Sequence, residues 1–403
     1  NPCPIKLQKV LVKKLLILSN KVPYPSQDGS SIAMARLLED LLALQIFEIT
    51  YGALNTTKHQ KNLEDFPKQI SSAIQLKVFN ANTSPTITSA VNNLLFTSAP
   101  YHSIRFYIKP MVDWLRGFQQ GHFDFVLLEG AFMGDYLNDV QRIAQHTTLR
   151  AHNLEHIIWE RTSEAERNPL KKWYLTLQSK RLKKFEKTLT KTVDSVWSIS
   201  NEDEKWFERY NPKTSTIAVS IERQELLTDL APLSCFHLGA LDWEPNLQGL
   251  NWFLTAVWPI VLQKIPNATF HIAGNNPPKH LQSDEGMNCI VHGRVPIAEV
   301  FAKSHGISII PLLAGSGVRI KMIMNASWGI PMVSTTIGAE GLFNETNQGV
   351  LLADSAEDFA HALIELLDSR DKANMLGTLA NQHILSSFGP EFIQENIAKA
   401  WSV

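Results

Sequence analysis

Residues 307–341, ISIIPLLAGSGVRIKMIMNASWGIPMVSTTIGAEG, read as one strand–helix–strand unit. The run ISIIPLL (307–313) is followed by a small-residue loop, Gly315-Ser316-Gly317, and a basic helix. The Pro-led run PMVSTT (331–336) and a second glycine turn complete the unit. Strands without polar alternation, joined through a helix, belong to parallel sheets covered on both faces. Glycines just ahead of a helix free backbone amides, and those amides together with the helix dipole attract anions. Arg319 adds a forked, charge-assisted contact suited to a diphosphate. Lys321 lies roughly 200° further around a regular helix, so both cations serve one phosphate only if the first turn is irregular. Gly338, Ala339 and Glu340 follow the next strand, where a carboxylate can bridge ribose hydroxyls. A plain loop with an exposed basic helix is the alternative.

The same grammar runs along nearly the whole chain. Strand candidates in the first half are KLLILS (14–19), FEITYGAL (47–54), FDFVLLEG (123–130), TLRAHN (148–153) and SVWSIS (195–200). The second half offers FHLGAL (236–241), TFHIAG (269–274), CIVHGR (289–294), ISIIPLL (307–313), PMVSTT (331–336) and GVLLAD (349–354). Amphipathic helical stretches separate them, so the fold class is α/β, with two Rossmann-like doubly wound parallel-sheet domains. The expected boundaries are 13–218, a polar linker 219–235, a second domain 236–387, and a final helical segment 388–403. Helix starts are legible at Ser200, with Asp203 three residues on, and at Asp354-Ser355. Ligands of such sheets bind beyond the carboxyl ends of the strands, and an interdomain cleft is the expected place.

Composition excludes several classes. The 403 residues suit two domains of roughly 200 each. A formal charge of −1 gives no electrostatic case for binding nucleic acid. Cys3, Cys235 and Cys289 are too widely spaced for a metal framework or a disulfide pattern, which suits a reducing compartment such as the cytoplasm. No apolar run reaches the ~18 residues of a membrane span. Residues 1–12 read as an extension ahead of an apparent start at KKLLILSNK.

Three further segments carry chemistry. Gly29 sits in a small polar loop before a helix, where it lets a sugar or diphosphate approach the backbone; an ordinary cap by Asp28 or Ser30 is the plainer reading. In LRAHNLEHIIWER (149–161), His152, Asn153, Glu155 and His156 crowd a strand end suited to hydroxyls or a carbonyl. His152 and His156 lack a third metal ligand, and no Ser or Cys nucleophile accompanies them. Glu129 closes its strand and can accept from sugar hydroxyls or cap the next helix. The basic stretch 168–191, with Trp173, Tyr174, Leu177 and Phe185 interleaved, suits peripheral contact at the inner face of a membrane. A helix packed on its own domain with a solvated basic face is the favoured reading.

These motifs form an ordered series. The second half carries LGALDWEPNLQGLNWF, VHGRV, PLLAGSGVRIKMI, GIPMVSTTIGAEGL and GVLLADSAEDFAHAL; the first carries SNKVPYPSQDG, EGAFMGDY and RAHNLEHIIWER. The series resembles GT-B glycosyltransferases of family 4. The resemblance implies an N-terminal acceptor domain, a C-terminal nucleotide-sugar domain and a last helix crossing back to the first. It implies transfer of a sugar from a nucleoside-diphosphate sugar to a hydroxyl of a saccharide or glycolipid with retention, in polysaccharide biosynthesis, without metal or further cofactor. Carried onto this chain, His152, Arg319 and Lys321 are catalytic. Gly29, Gly239, Arg294, Gly315, Ser316, Gly317, Gly338, Ala339 and Glu340 bind donor, and Asp28, Glu129, Asn153 and Glu155 bind acceptor.

The departures are informative. The family's Glu-x7-Glu pair falls on Ser316 and Met324, and the usual Arg of its first turn falls on Ala240. Asp242, Asn246 and Glu340 stand nearby in sequence as substitutes. A nucleotide-sugar epimerase of the same architecture and a binding protein that has lost turnover are the competing readings.

Overall fold

The computed structural model describes residues 12–26, 29–57, 60–166, 168–221, 226, 231–241, 243–278, 281–313, 319–343, 345 and 348–403. The chain divides into two compact units, one reaching Ser220 and including Ile393–Val403, the other spanning Ile221–Phe392.

The first unit is built on seven strands: β1 (Lys13–Ser19), β2 (Phe47–Thr56), β3 (Gln75–Ala81), β4 (Phe123–Glu129), β5 (Ala144–Ala151), β6 (Ser195–Ser198) and β7 (Thr214–Thr216). Their order is β3-β2-β1-β4-β5-β6-β7, and every neighbouring pair is parallel. Strands β1 and β4 are buried on both faces because their Leu, Ile, Val and Phe run without alternation. The helix Pro390–Trp401 returns its end to this unit: Trp401 stacks on Phe125 at 4.6 Å and donates from Nε1 to Thr148 Oγ1 at 2.8 Å.

The second unit contains β8 (Ser234–Leu238), β9 (Thr269–Ala273), β10 (Cys289–Gly293), β11 (Ile307–Ile310), β12 (Met332–Ser334) and β13 (Val350–Leu352). The order β10-β9-β8-β11-β12-β13 repeats the grammar of the first sheet, again all parallel. In each sheet the strand order reverses beside the first strand, between β1 and β4 and between β8 and β11. In open parallel sheets such reversals mark, at the carboxyl ends of the strands, the usual place of ligand binding.

Two strands depart from expectation. Gln75–Ala81 alternates exposed and sheltered residues because it is an edge strand, so it lacks the continuous apolar signal of its neighbours. Thr214–Thr216 at the opposite edge is wholly polar. The two anticipated helix starts are present: Ser200 Oγ accepts from the Asp203 amide at 3.2 Å, and Ser355 Oγ from the Asp358 amide at 3.1 Å. The basic stretch is one helix, Pro169–Thr192, that buries Leu175, Leu182, Glu186 and Leu189 along one face. Among the described residues no helix is long and apolar enough to cross a membrane.

Candidate functional site

In the first unit the strand register sets Ser19 beside Glu129 and Glu129 beside Arg150. Glu129 is 1% exposed, and its Oε1 accepts from Arg150 Nη1 at 2.6 Å. The same oxygen lies 2.6 Å from His152 Nε2, while His152 Nδ1 lies 3.3 Å from Ser30 Oγ in the first turn of the helix Gly29–Ala43. Burial pushes the Glu129 carboxyl up, but the Arg150 charge and the His152 hydrogen bond outweigh it and hold the group below its ordinary value. An ionised carboxylate only accepts, so His152 donates through Nε2, and in the neutral ring Nδ1 is the acceptor that faces Ser30 Oγ. Glu129 thereby fixes one tautomer and one ring orientation, in the manner of any carboxylate–imidazole pair. One turn further, Glu186 accepts from the amides of Glu155 at 2.8 Å and His156 at 3.0 Å, and from His156 Nδ1 at 2.6 Å. It caps the helix Glu155–Ala165 from outside. Burial and the Glu186 charge push the Glu155 carboxyl up to about 7.

In the second unit four groups converge just beyond β8. A side chain added at Gly239 would lie 2.9 Å from Asn246 Nδ2, 3.1 Å from Lys321 Nζ and 3.3 Å from His237 Nε2. Only a residue without a Cβ fits against these three groups. Asn246 is 3% exposed and holds the turn with both ends of its amide, Nδ2 donating to Ala240 O at 2.8 Å and Oδ1 accepting from Lys321 Nζ at 2.8 Å. Burial, then the neighbouring Arg319 charge, lowers the Lys321 ammonium to about 7. Burial and Lys321 hold His237 well below the imidazole range. The neutral His237 ring places Nδ1 3.4 Å from Ile309 O, and its buried Nε2 has no hydrogen-bond partner among the described residues. Arg319, 5% exposed, occupies the cap position of the helix Ile320–Ser327, and the Glu340 charge acts on it. Two cations, a glycine turn and an acceptor nitrogen suit an anionic ligand that also carries hydroxyls.

Residues 233–369 match the family model described as glycosyl transferases group 1. The chain carries a group 1 glycosyltransferase domain. The glycosyltransferase is 24% identical over 363 residues to an uncharacterized 44.6 kDa protein in the cps region of Klebsiella pneumoniae, covering 87% of this chain and 90% of that protein. Its fold is that of GT-B enzymes. Sucrose-phosphate synthase from Thermosynechococcus elongatus superposes with a TM-score of 0.62 at 14% identity, over 97% of this chain and 98% of that one. S. aureus TarM, crystallised as a variant with fondaparinux, alpha-GlcNAc-glycerol and UDP, gives 0.62 at 11% identity, over 97% and 100%. Anabaena HepE, with UDP and glucose, gives 0.59 at 12%, over 97% and 99%.

The glycosyltransferase brings together Gly29, Glu129 and His152 in one unit, and Gly239, Arg319, Lys321 and Glu340 in the other. Several expectations need correction. Glu129, expected to bind acceptor, is buried with its Oε1 engaged by Arg150 and His152, an arrangement that suits positioning the His152 ring. His156, for which no metal role was expected, is a buried ring held by Glu186. Gly338 donates its amide to Thr335 Oγ1 at 3.0 Å and Ala339 to Thr335 O at 3.1 Å, so neither offers an N–H to a donor. Gly338 is instead demanded by packing, since a Cβ there would meet Ser334 Oγ at 2.4 Å. The irregularity that the shared use of Arg319 and Lys321 requires is present: Arg319 has ψ 87°, outside the helix, and regular turns start only at Ile320.

Arg294 is exposed in the loop after β10, Asn153 is exposed, and Glu155 is partly sheltered. Asp28, Gly315, Ser316 and Gly317 lie outside the described residues. His237 was passed over because it reads as one polar residue inside an apolar strand. Its place two residues before the glycine turn was the available signal. Met324, where the family has an acid, packs against the apolar cluster of Phe236, Phe301, Trp328 and Ile330.

Proposed function

We propose that the protein transfers a sugar from a nucleoside-diphosphate sugar to a hydroxyl of a saccharide or lipid-linked saccharide, with retained anomeric configuration. The observation that carries this reading is the Lys321 ammonium, buried at the β8–β11 reversal of a group 1 domain and held there by a neutral amide oxygen. A departing diphosphate carries the charge that such a site lacks, so Lys321 and Arg319 stabilise the leaving group more than the intact donor. His237 Nε2 accepts from a donor hydroxyl. Within the first unit His152, oriented by Glu129, offers Nδ1 to a sugar hydroxyl. Structural relatives crystallised with UDP, among them TarM and HepE, make a uridine donor the first to test.

The same reading places the protein in the cytoplasm, at the inner face of a membrane. Leu170, 80% exposed, and Trp173, 58% exposed, stand beside Lys171 and Lys172 at the start of the helix Pro169–Thr192. That combination suits an anionic lipid surface.

The test is turnover with a panel of nucleoside-diphosphate sugars and a saccharide acceptor pool, with NMR of the product. An α-linked product from an α-linked donor is expected. A β-linked product rejects retention, and absence of transfer from every donor rejects the reading.

A further inference from the structure

The β9–β10 arm of the second sheet carries a cluster that sugar transfer does not use. His271 lies on β9, His292 on β10, and His305 at the end of the helix Ala298–Ser304. One ring nitrogen from each lies within 4.8 Å of the other two. His271 Nδ1 and His292 Nε2 are 2.9 Å apart, and the His271 and His305 ring centroids 4.1 Å apart. The register of β9 against β10 shifts between Val291 and Gly293, which leaves His292 outside the regular ladder. Such irregularities re-aim a side chain.

We propose that these three imidazoles form a binding site for a divalent transition metal of the zinc class, with water completing a tetrahedron. The donor set is wholly nitrogen, which suits Zn²⁺, Co²⁺, Ni²⁺ or Cu²⁺ and not Mg²⁺ or Ca²⁺. Three protein ligands and one open position form a known tetrahedral arrangement, with metal–nitrogen distances of about 2.0–2.1 Å and hence nitrogens about 3.3 Å apart. The cluster is within a small ring adjustment of that spacing.

The outer contacts already orient the ligands. His305 Nδ1 donates to Phe301 O at 2.6 Å, which leaves Nε2 bare. His271 Nε2 lies 3.3 Å from Thr269 Oγ1, and its Nδ1 faces His292 Nε2, a contact that a shared metal would replace. Backbone carbonyls and hydroxyls in these positions fix imidazole orientation at metal sites. Bound metal would tie β9, β10 and the helix Ala298–Ser304 together around the loop that carries Arg294.

The test is titration of the untagged full chain with Zn²⁺ by calorimetry, and with Co²⁺ by visible absorption. One ion per chain is expected, with the visible bands of tetrahedral Co²⁺ and a higher melting temperature in Zn²⁺ than in EDTA. His292 is exposed, so His292→Ala should melt like the natural chain in EDTA yet bind Zn²⁺ about tenfold or more weakly, the size a lost outer partner alone reaches. His305→Ala should do the same. No stoichiometric binding by the natural chain, or undiminished affinity in the His292→Ala/His305→Ala double variant, overturns the proposal.

Discussion

Lys321 Nζ donates to Asn246 Oδ1 at 2.8 Å, and the neighbouring charge that acts on this ammonium is another cation, Arg319. A buried lysine with a neutral partner and a like-charged neighbour holds its proton weakly. An arriving diphosphate reverses that balance.

Binding of a nucleoside diphosphate should therefore take up a proton. With Lys321 at about 7 in the free protein, the ammonium is mostly charged at pH 6 and mostly neutral at pH 8. A ligand that binds the charged form then binds more weakly as pH rises through 7, by at most about tenfold per pH unit. Calorimetry at pH 8 in buffers of different ionisation enthalpy should show proton uptake. Heats independent of the buffer would remove Lys321 from the anion site.

Glu129 and His152 should separate stability from activity. Glu129→Gln strips the anion from Arg150, which is 0% exposed, and should destabilise by about 3–5 kcal/mol, as an unpaired buried charge does. His152→Gln leaves the Arg150–Glu129 pair intact and should cost about 1 kcal/mol of stability. Its transfer rate should nevertheless fall on the order of 100-fold, the lower end for a positioned acid–base or hydrogen-bonding group. Denaturant melts and initial rates measure both. Natural transfer rates in His152→Gln would show that the ring only packs.

Asp40 gives a pH signature of its own. Burial, eased by hydrogen bonds from Ser220 and Gln394, raises its carboxyl from 3.8 to about 6. The folded chain thus binds this proton more tightly than the unfolded chain does. The resulting stability is fully present below pH 3.8 and is lost as pH rises through about 6. Asp40→Asn should be the more stable form at pH 7–8, by up to about 3 kcal/mol, and should lose that advantage near pH 4. Melting curves across this range check the sign; a variant less stable at pH 8 would contradict it.

The apolar end of the helix Pro169–Thr192 should matter only at a membrane. Leu170→Glu with Trp173→Glu should abolish sedimentation with anionic vesicles and leave turnover of a water-soluble acceptor unchanged, because both side chains are exposed. Equal vesicle binding by variant and natural chain would remove this surface.

Much of the architecture was legible because burial on both faces writes itself as uninterrupted apolar runs. Strands β1, β4 and β11 are of that kind. Edge strands escape the rule, since Gln75–Ala81 needs only one sheltered face and Thr214–Thr216 scarcely any. The site was legible where glycine or charge breaks a pattern, as at Gly239 and Lys321. It was obscure where the decisive partner is remote in sequence. Glu186 sits in a lysine-rich helix, 31 residues from the amide of Glu155 that it holds. Asn246 reaches Lys321 across 75 residues. Whether Arg319 and Lys321 can serve one phosphate turned on the geometry of the first turn, and a cap residue such as Arg319 is free of regular helix geometry.

Calorimetric titration of the natural chain and of Lys321→Met with uridine, guanosine, adenosine and cytidine diphosphates at pH 7 tests the anion site most directly. The natural chain should bind at least one of them, and Lys321→Met should bind it about 10- to 100-fold more weakly, the loss of one charged hydrogen bond. Equal affinity in both proteins would contradict a diphosphate seated at Lys321.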